Sequence, residues 1–103
     1  MKTCITCGMP LEGEHRDDMG METTDGPVCK FDSENGQIKS GQDIFRGGVE
    51  FFMGSAADGD RKLAERLTRK NMNSLPYWQK HHFAELLGEE ANEAEFAAAM
   101  AKL

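Results

Sequence analysis

Four residues near the N-terminus have the side chains and the spacing of a metal site. Two residues separate Cys4 from Cys7, and two residues separate Cys29 from Asp32. Each pair can form a knuckle, a tight turn that offers two ligands, and two knuckles together fill the four corners of a tetrahedral metal. Thiolates bind Zn²⁺ well and a carboxylate is an acceptable fourth ligand. The pattern therefore predicts a zinc ribbon with Cys4, Cys7, Cys29 and Asp32 as ligands.

The fourth corner is the least determined by the sequence, since a cysteine is the residue expected at position 32. His15, a water molecule or a ligand from another chain are alternatives to Asp32. Oxygen is a harder and more labile donor than sulfur toward zinc, so an aspartate ligand could serve regulation or catalysis. We expect it instead to be a variant ligand of a structural site.

Two other uses of the cysteines remain open. One is thiol-redox chemistry at Cys4 and Cys7. Redox pairs usually lie at the N-terminus of a helix, which lowers a thiol pKa, but here the turn-forming Gly8-Met9-Pro10 follows Cys7. An enzyme with an open zinc site would need a general acid or base nearby. Candidates in the next segment, which form no recognised motif, are Glu12, Glu14, His15 and Asp17.

Composition limits the class of protein. A chain of 103 residues with a net charge of −6 fits one domain, or a small metal module with a helical extension. The odd number of cysteines argues against a secreted disulfide framework. No apolar run approaches the length of a membrane span, and no signal peptide opens the chain. We therefore expect a cytoplasmic protein that does not enter a membrane.

Turn signals and apolar periodicity predict an α+β fold in two parts. Residues 1–39 form the zinc ribbon, with short strands at 9–11, 21–24, 27–29 and 37–39 and an exposed loop over 12–20. Residues 40–103 form a helical extension packed with it as one unit. Its helices are predicted over 40–55, from 58 or 60 to 71, over 76–88 and over 89–102. The buried side of the last helix would carry Phe96, Met100 and Leu103.

Charge is unevenly distributed along the helical part. The charged residues of 61–82 are mostly basic and those of 83–103 mostly acidic. The two segments should therefore complement each other within one fold or across a homodimer. Lys62, Arg66 and Arg69 form a basic stripe that could contact phosphates. Because the whole chain is acidic, we expect a protein partner rather than nucleic acid.

Several blocks resemble a known family. Met1-Lys2-Thr3-Cys4-Ile5-Thr6-Cys7-Gly8-Met9-Pro10-Leu11 is similar to the opening of a zinc-ribbon family of small bacterial and archaeal proteins, which begin with Cys-x-x-Cys-Gly-Met-Pro-Leu. Residues 29–40, 44–53 and 73–78 resemble later blocks of that family, so the likeness covers roughly residues 1–80. It implies zinc binding through Cys4, Cys7 and Cys29 and carries no established activity. Asp32 departs from the family pattern, which has a fourth cysteine there.

Together these features predict a small zinc-binding protein with a structural zinc ribbon. Ordering a loop-rich segment costs more than its few apolar residues return, so metal binding should be coupled to folding. We expect an interaction or regulatory module without catalysis. The open-zinc enzyme and the thiol-redox protein are the alternatives.

Overall fold

A computed structural model describes residues 2–103, and the fold is α+β, as predicted. Two short antiparallel hairpins precede the main helices. The strands are β1 (Met19–Thr23), β2 (Gly26–Cys29), β3 (Ser33–Glu34) and β4 (Gln37–Ile38). The helices are α1 (Gly41–Ser55), α2 (Arg61–Asn73), α3 (Pro76–Lys80) and α4 (Glu93–Ala101), and 3₁₀ helices cover Gly13–Asp18 and Ala84–Leu87. Within the described residues, no helix is long and apolar enough to cross a bilayer.

The two hairpins lie on either side of the second knuckle. β1 pairs with β2, with Met21 opposite Val28 and an irregularity between Met19 and Met21. β3 pairs with β4 through a turn at Asn35 and Gly36, which have φ of 53° and 76°. An Asn-Gly pair with positive φ suits the tight turn of a two-residue hairpin.

The strand predicted at 9–11 is wrong, and so is part of the loop predicted at 12–20. Pro10 makes only an isolated bridge to Thr3, because the Cys4 carbonyl, which the next ladder bond would need, accepts from the Gly8 N–H of the tight turn. Residues Gly13–Asp18 form an exposed 3₁₀ helix instead of an irregular loop. β1 already begins at Met19.

The first two helices follow the prediction closely. The Ser40 side chain accepts a hydrogen bond from the Asp43 N–H at 3.1 Å and caps α1. Asp60 caps α2 in the same way, by accepting from the Leu63 N–H at 3.2 Å. These caps satisfy backbone donors that the first turn of a helix leaves free.

The last two helices differ from the prediction. α3 ends at Lys80 rather than at Gly88. The backbone is extended at Phe83, and this places the centroid of the Phe83 ring 5.3 Å from that of the Trp78 ring. α4 begins at Glu93 rather than at residue 89, because Asn92 forms a capping box with Glu95. Leu103 is 57% exposed and not part of the buried side.

Two apolar clusters form the core. One contains Leu11 and Val28 of the ribbon, and the other lies among the helices around Phe45, Leu67 and Trp78. Ile38 packs against both clusters and so joins the hairpins to the helices.

Candidate metal centre

The first knuckle is a tight turn attached to β2. The Cys4 N–H donates to the Met9 carbonyl and the Gly8 N–H donates to the Cys4 carbonyl, both at 2.8 Å. Gly8 has a φ of 81°, which glycine adopts at little cost. The Ile5 N–H donates to the Pro27 carbonyl at 3.0 Å. These bonds hold the turn from Cys4 to Gly8 beside the strand that ends in Cys29.

The second knuckle is held between the two hairpins. Cys29 ends β2 and Asp32 immediately precedes β3. The Asp32 N–H donates to the Cys29 carbonyl at 3.2 Å, and the Asp32 carbonyl accepts from the Lys39 N–H at 2.8 Å. The Ser33 hydroxyl also donates to the Cys29 carbonyl, at 3.0 Å. The backbone that carries both ligands is therefore fixed on each side.

The four predicted ligands converge. One ligand atom each from Cys4, Cys7, Cys29 and Asp32 lies within 4.8 Å of the other three. The Sγ atoms of Cys7 and Cys29 are 3.7 Å apart, and Cys4 Sγ is 3.7 Å from Asp32 Oδ2. Zinc–sulfur bonds of about 2.3 Å in a tetrahedron imply sulfur–sulfur separations of about 3.8 Å. The cluster is therefore compatible with one tetrahedral metal ion, and three sulfurs with one oxygen suit Zn²⁺.

Burial disfavours the ionised forms of these four side chains unless a cation is bound. Cys4 and Cys29 are fully buried, Asp32 is 7% exposed and Cys7 is partly exposed. Burial raises the pKa of the Asp32 carboxyl above its usual range. A bound cation would offset this desolvation cost and favour the ionised carboxylate, because a metal is often the largest charge in such a site.

The three thiols do not ionise alike. Hydrogen bonds from the side chains of Cys29 and Cys7 lower the pKa of Cys4, whereas the interaction with Cys29 raises that of Cys7. The interaction with Cys4 raises the pKa of Cys29 to about 12. Without a cation the thiols of Cys7 and Cys29 therefore favour the protonated form, whereas a metal that coordinates a thiol deprotonates it.

Two hydrogen-bond donors contact the ligand atoms of Asp32 and Cys4. The Thr6 hydroxyl donates to Asp32 Oδ2 at 2.7 Å and lies 3.1 Å from Cys4 Sγ. The Cys29 N–H donates to Cys4 Sγ at 3.3 Å. Thr6 is fully buried, so its hydroxyl acts inside the cluster rather than at its surface.

Two helices hold the first knuckle from outside. Trp78 Nε1 donates to the Thr6 carbonyl and Asn71 Nδ2 donates to the Cys7 carbonyl, both at 2.9 Å. Sequence reasoning missed these roles of Thr6, Asn71 and Trp78. A buried indole N–H needs an acceptor, which was a signal for Trp78, whereas Asn71 and Thr6 carry no comparable local signal.

The alternative fourth ligand lies elsewhere. His15 is exposed in the first 3₁₀ helix, where its Nδ1 is 3.5 Å from Asp18 Oδ2. It does not belong to the cluster of four. The acids considered for an open zinc site, Glu12, Glu14 and Asp17, lie at or in the same exposed segment.

The predicted basic stripe is largely engaged within the chain. Two nitrogens of Arg66 bind the two carboxylate oxygens of Glu95, at 2.6 and 3.0 Å. Arg69 Nε donates to the Glu85 carbonyl at 2.8 Å. Lys62 remains exposed. The basic and acidic segments therefore complement each other within one fold, which is the first of the two arrangements predicted.

No protein-family model, curated protein or solved structure matches this chain. The resemblance to a zinc-ribbon family therefore stays a prediction, and a metal centre is inferred from the geometry of the four side chains alone.

Proposed function

We propose that this chain is a small zinc-binding protein in which Cys4, Cys7, Cys29 and Asp32 hold one structural Zn²⁺. The observation that carries the proposal is the convergence of the four ligand atoms within 4.8 Å of one another. When bound, the metal supplies cross-links between two short turns whose own apolar contacts are few. The hydrogen bonds from Trp78 and Asn71 extend this support to α2 and α3.

A closed site supports an interaction or regulatory module rather than an enzyme. Structural zinc sites take four protein ligands, whereas catalytic sites keep one position for water or substrate. Here four side chains of one chain are available for the four positions. A thiol-redox role is disfavoured because an attacking thiol must be both ionised and accessible. Cys4, whose pKa is lowered, is fully buried, and Cys7, which is partly exposed, has a raised pKa.

A protein partner is part of the same proposal. The net charge of −6 opposes binding to a polyanion. Arg66 and Arg69 already bind groups within the chain, which leaves less of the basic stripe for phosphates.

Native mass spectrometry of freshly purified protein, kept in reductant, tests the proposal. We expect one zinc per chain, and none in a Cys29→Ser variant. Glu34→Ala is a matched control, because it removes an exposed carboxylate close to the second knuckle and should keep the metal. A folded, metal-free wild-type chain that takes up no zinc on addition would overturn the proposal.

A further inference from the structure

We propose that Thr6 is a positioning residue that fixes how Asp32 presents its carboxylate to the metal. This inference rests on the proposed zinc site and goes beyond its four ligands. The Thr6 hydroxyl holds Oδ2 of the Asp32 carboxylate and so fixes the orientation of the whole group. In that orientation Asp32 binds zinc through a single oxygen and the site stays tetrahedral.

The carboxylate of Asp32 needs such a constraint. The Asp32 backbone is fixed by its hydrogen bonds to Cys29 and Lys39. The carboxylate itself can still rotate, because the χ2 torsion of aspartate has broad energy wells. A freely rotating carboxylate can offer one oxygen or both to a metal. The 2.7 Å bond from Thr6 to Oδ2 restricts that rotation.

Thr6 is itself rigid enough to hold another side chain. It is fully buried, it lies inside the turn between two ligands, and its carbonyl is held by Trp78 at 2.9 Å. A hydroxyl has a single proton to donate, and the geometry gives that proton to Asp32 Oδ2. The contact with Cys4 Sγ at 3.1 Å is the rival route by which Thr6 could act.

Coordination number follows from this constraint. A carboxylate held at one oxygen favours four-coordinate zinc, whereas a carboxylate that binds through both oxygens raises the number of ligand atoms, as hard cations such as Ca²⁺ prefer. Groups that orient metal ligands typically change affinity by about 10–100-fold when removed. Thr6 would therefore set both the affinity and the geometry of the site.

The test uses Zn²⁺ affinity by chelator competition and the visible spectrum of the Co²⁺-loaded protein. Thr6→Val should weaken zinc binding about 10–100-fold. It should also weaken the cobalt d–d bands, which are intense only in tetrahedral sites. Thr6→Ser keeps the hydroxyl and should restore both. Unchanged affinity and spectrum in Thr6→Val would overturn the positioning role.

An Asp32→Cys background separates the two routes. If Thr6 acts through the carboxylate, Thr6→Val should have no effect on zinc affinity once Asp32 is replaced. An equal loss in both backgrounds would place the effect at Cys4 or in packing and overturn the inference. If Thr6→Val alone does not fold, a folded, zinc-loaded double variant supports the inference and an unfolded one overturns it. Wild-type protein that binds neither Zn²⁺ nor Co²⁺ would instead defeat the zinc proposal itself.

Discussion

The indole nitrogen of Trp78 donates a hydrogen bond to the carbonyl oxygen of Thr6 at 2.9 Å, across 72 positions of the chain. The rings of Tyr77 and Phe83 pack edge-on against the same indole, with centroids 4.8 and 5.3 Å away. A residue of the helical part is thus bonded to the turn that carries Cys4 and Cys7. Loss of the metal should therefore change the surroundings of Trp78 in α3.

Removal of zinc should change the fluorescence of Trp78. Because the chain has one tryptophan, its emission can be assigned without ambiguity. Chelator in the presence of reductant should loosen the first knuckle, weaken the bond to the Thr6 carbonyl and shift the emission to longer wavelength. Readdition of zinc should reverse the shift. Emission that stays unchanged after complete metal removal would show that the knuckle keeps its structure without zinc.

The adjacent glycines of α1 provide a matched pair for testing helix packing. A Cβ at Gly48 would lie 2.8 Å from Thr68 Cγ2 of α2, whereas a Cβ at Gly47 would have no neighbour within 4 Å. Gly48→Ala should therefore lower the free energy of unfolding by about 1–3 kcal/mol through overpacking. Gly47→Ala should raise it by up to about 1 kcal/mol, because alanine is the better helix former. Denaturant titration of both variants measures the difference, and equal changes would contradict this close approach of α1 and α2.

Attachment of α4 should depend on pH through Glu95. The hydrogen bond from Arg66 lowers the pKa of the Glu95 carboxyl below its ordinary value. A lowered folded-state pKa contributes stability that is present above the unfolded-state pKa, about 4.3 for glutamate. That stability is lost as the pH falls through the lower, folded-state value. Acid should therefore weaken the contact between α4 and α2.

Glu95→Gln isolates this effect, because glutamine can keep the capping box with Asn92 while losing the charge. The variant should be less stable than wild type at neutral pH, and the difference should shrink toward acid. Glu50→Gln, on the exposed face of α1, is the matched control for the loss of one carboxylate charge away from Arg66. Neither substitution replaces one of the four proposed zinc ligands, so any loss of metal in acid should be the same in all three proteins. A Glu95→Gln difference that is constant across this pH range would contradict the assignment.

Asp32→Cys should strengthen zinc binding. Sulfur is a softer and less labile donor than oxygen toward zinc, so the variant should release the metal more slowly to a competing chelator. Asp32→Ala should release it faster, by at least the roughly 10–100-fold that attends loss of a group supporting the ligands. Retention by Asp32→Cys and Asp32→Ala equal to that of wild type would mean that a water or another group holds the fourth position.

The convergence of four side chains could be predicted from the sequence because the information is local. Two knuckles with matched spacing specify Cys4, Cys7, Cys29 and Asp32, and the structure brings these four together. The caps at Ser40 and Asp60 are also local signals, and α1 and α2 follow from them. The capping box of Asn92 and Glu95 is also a local signal, and it starts the last helix at Glu93, four residues after the predicted start.

What the sequence did not reveal depends on distant contacts. α3 stops at Lys80 because Phe83 packs on Trp78 and Gly41, and this tertiary contact outweighs the helix propensity of the residues that follow. The hydroxyl of Thr6 became relevant only once folding placed it 2.7 Å from Asp32 Oδ2. Periodicity and spacing describe neighbours along the chain, so they do not report such pairs.

X-ray absorption at the zinc edge identifies the atoms that bind the metal. For wild-type protein loaded with one zinc, we expect three sulfur atoms at about 2.3 Å and one oxygen at about 2.0–2.2 Å. The Asp32→Cys variant should show four sulfurs and no oxygen shell. A wild-type spectrum with two or fewer sulfurs, or with a histidine nitrogen in place of the oxygen, would contradict a site built from Cys4, Cys7, Cys29 and Asp32.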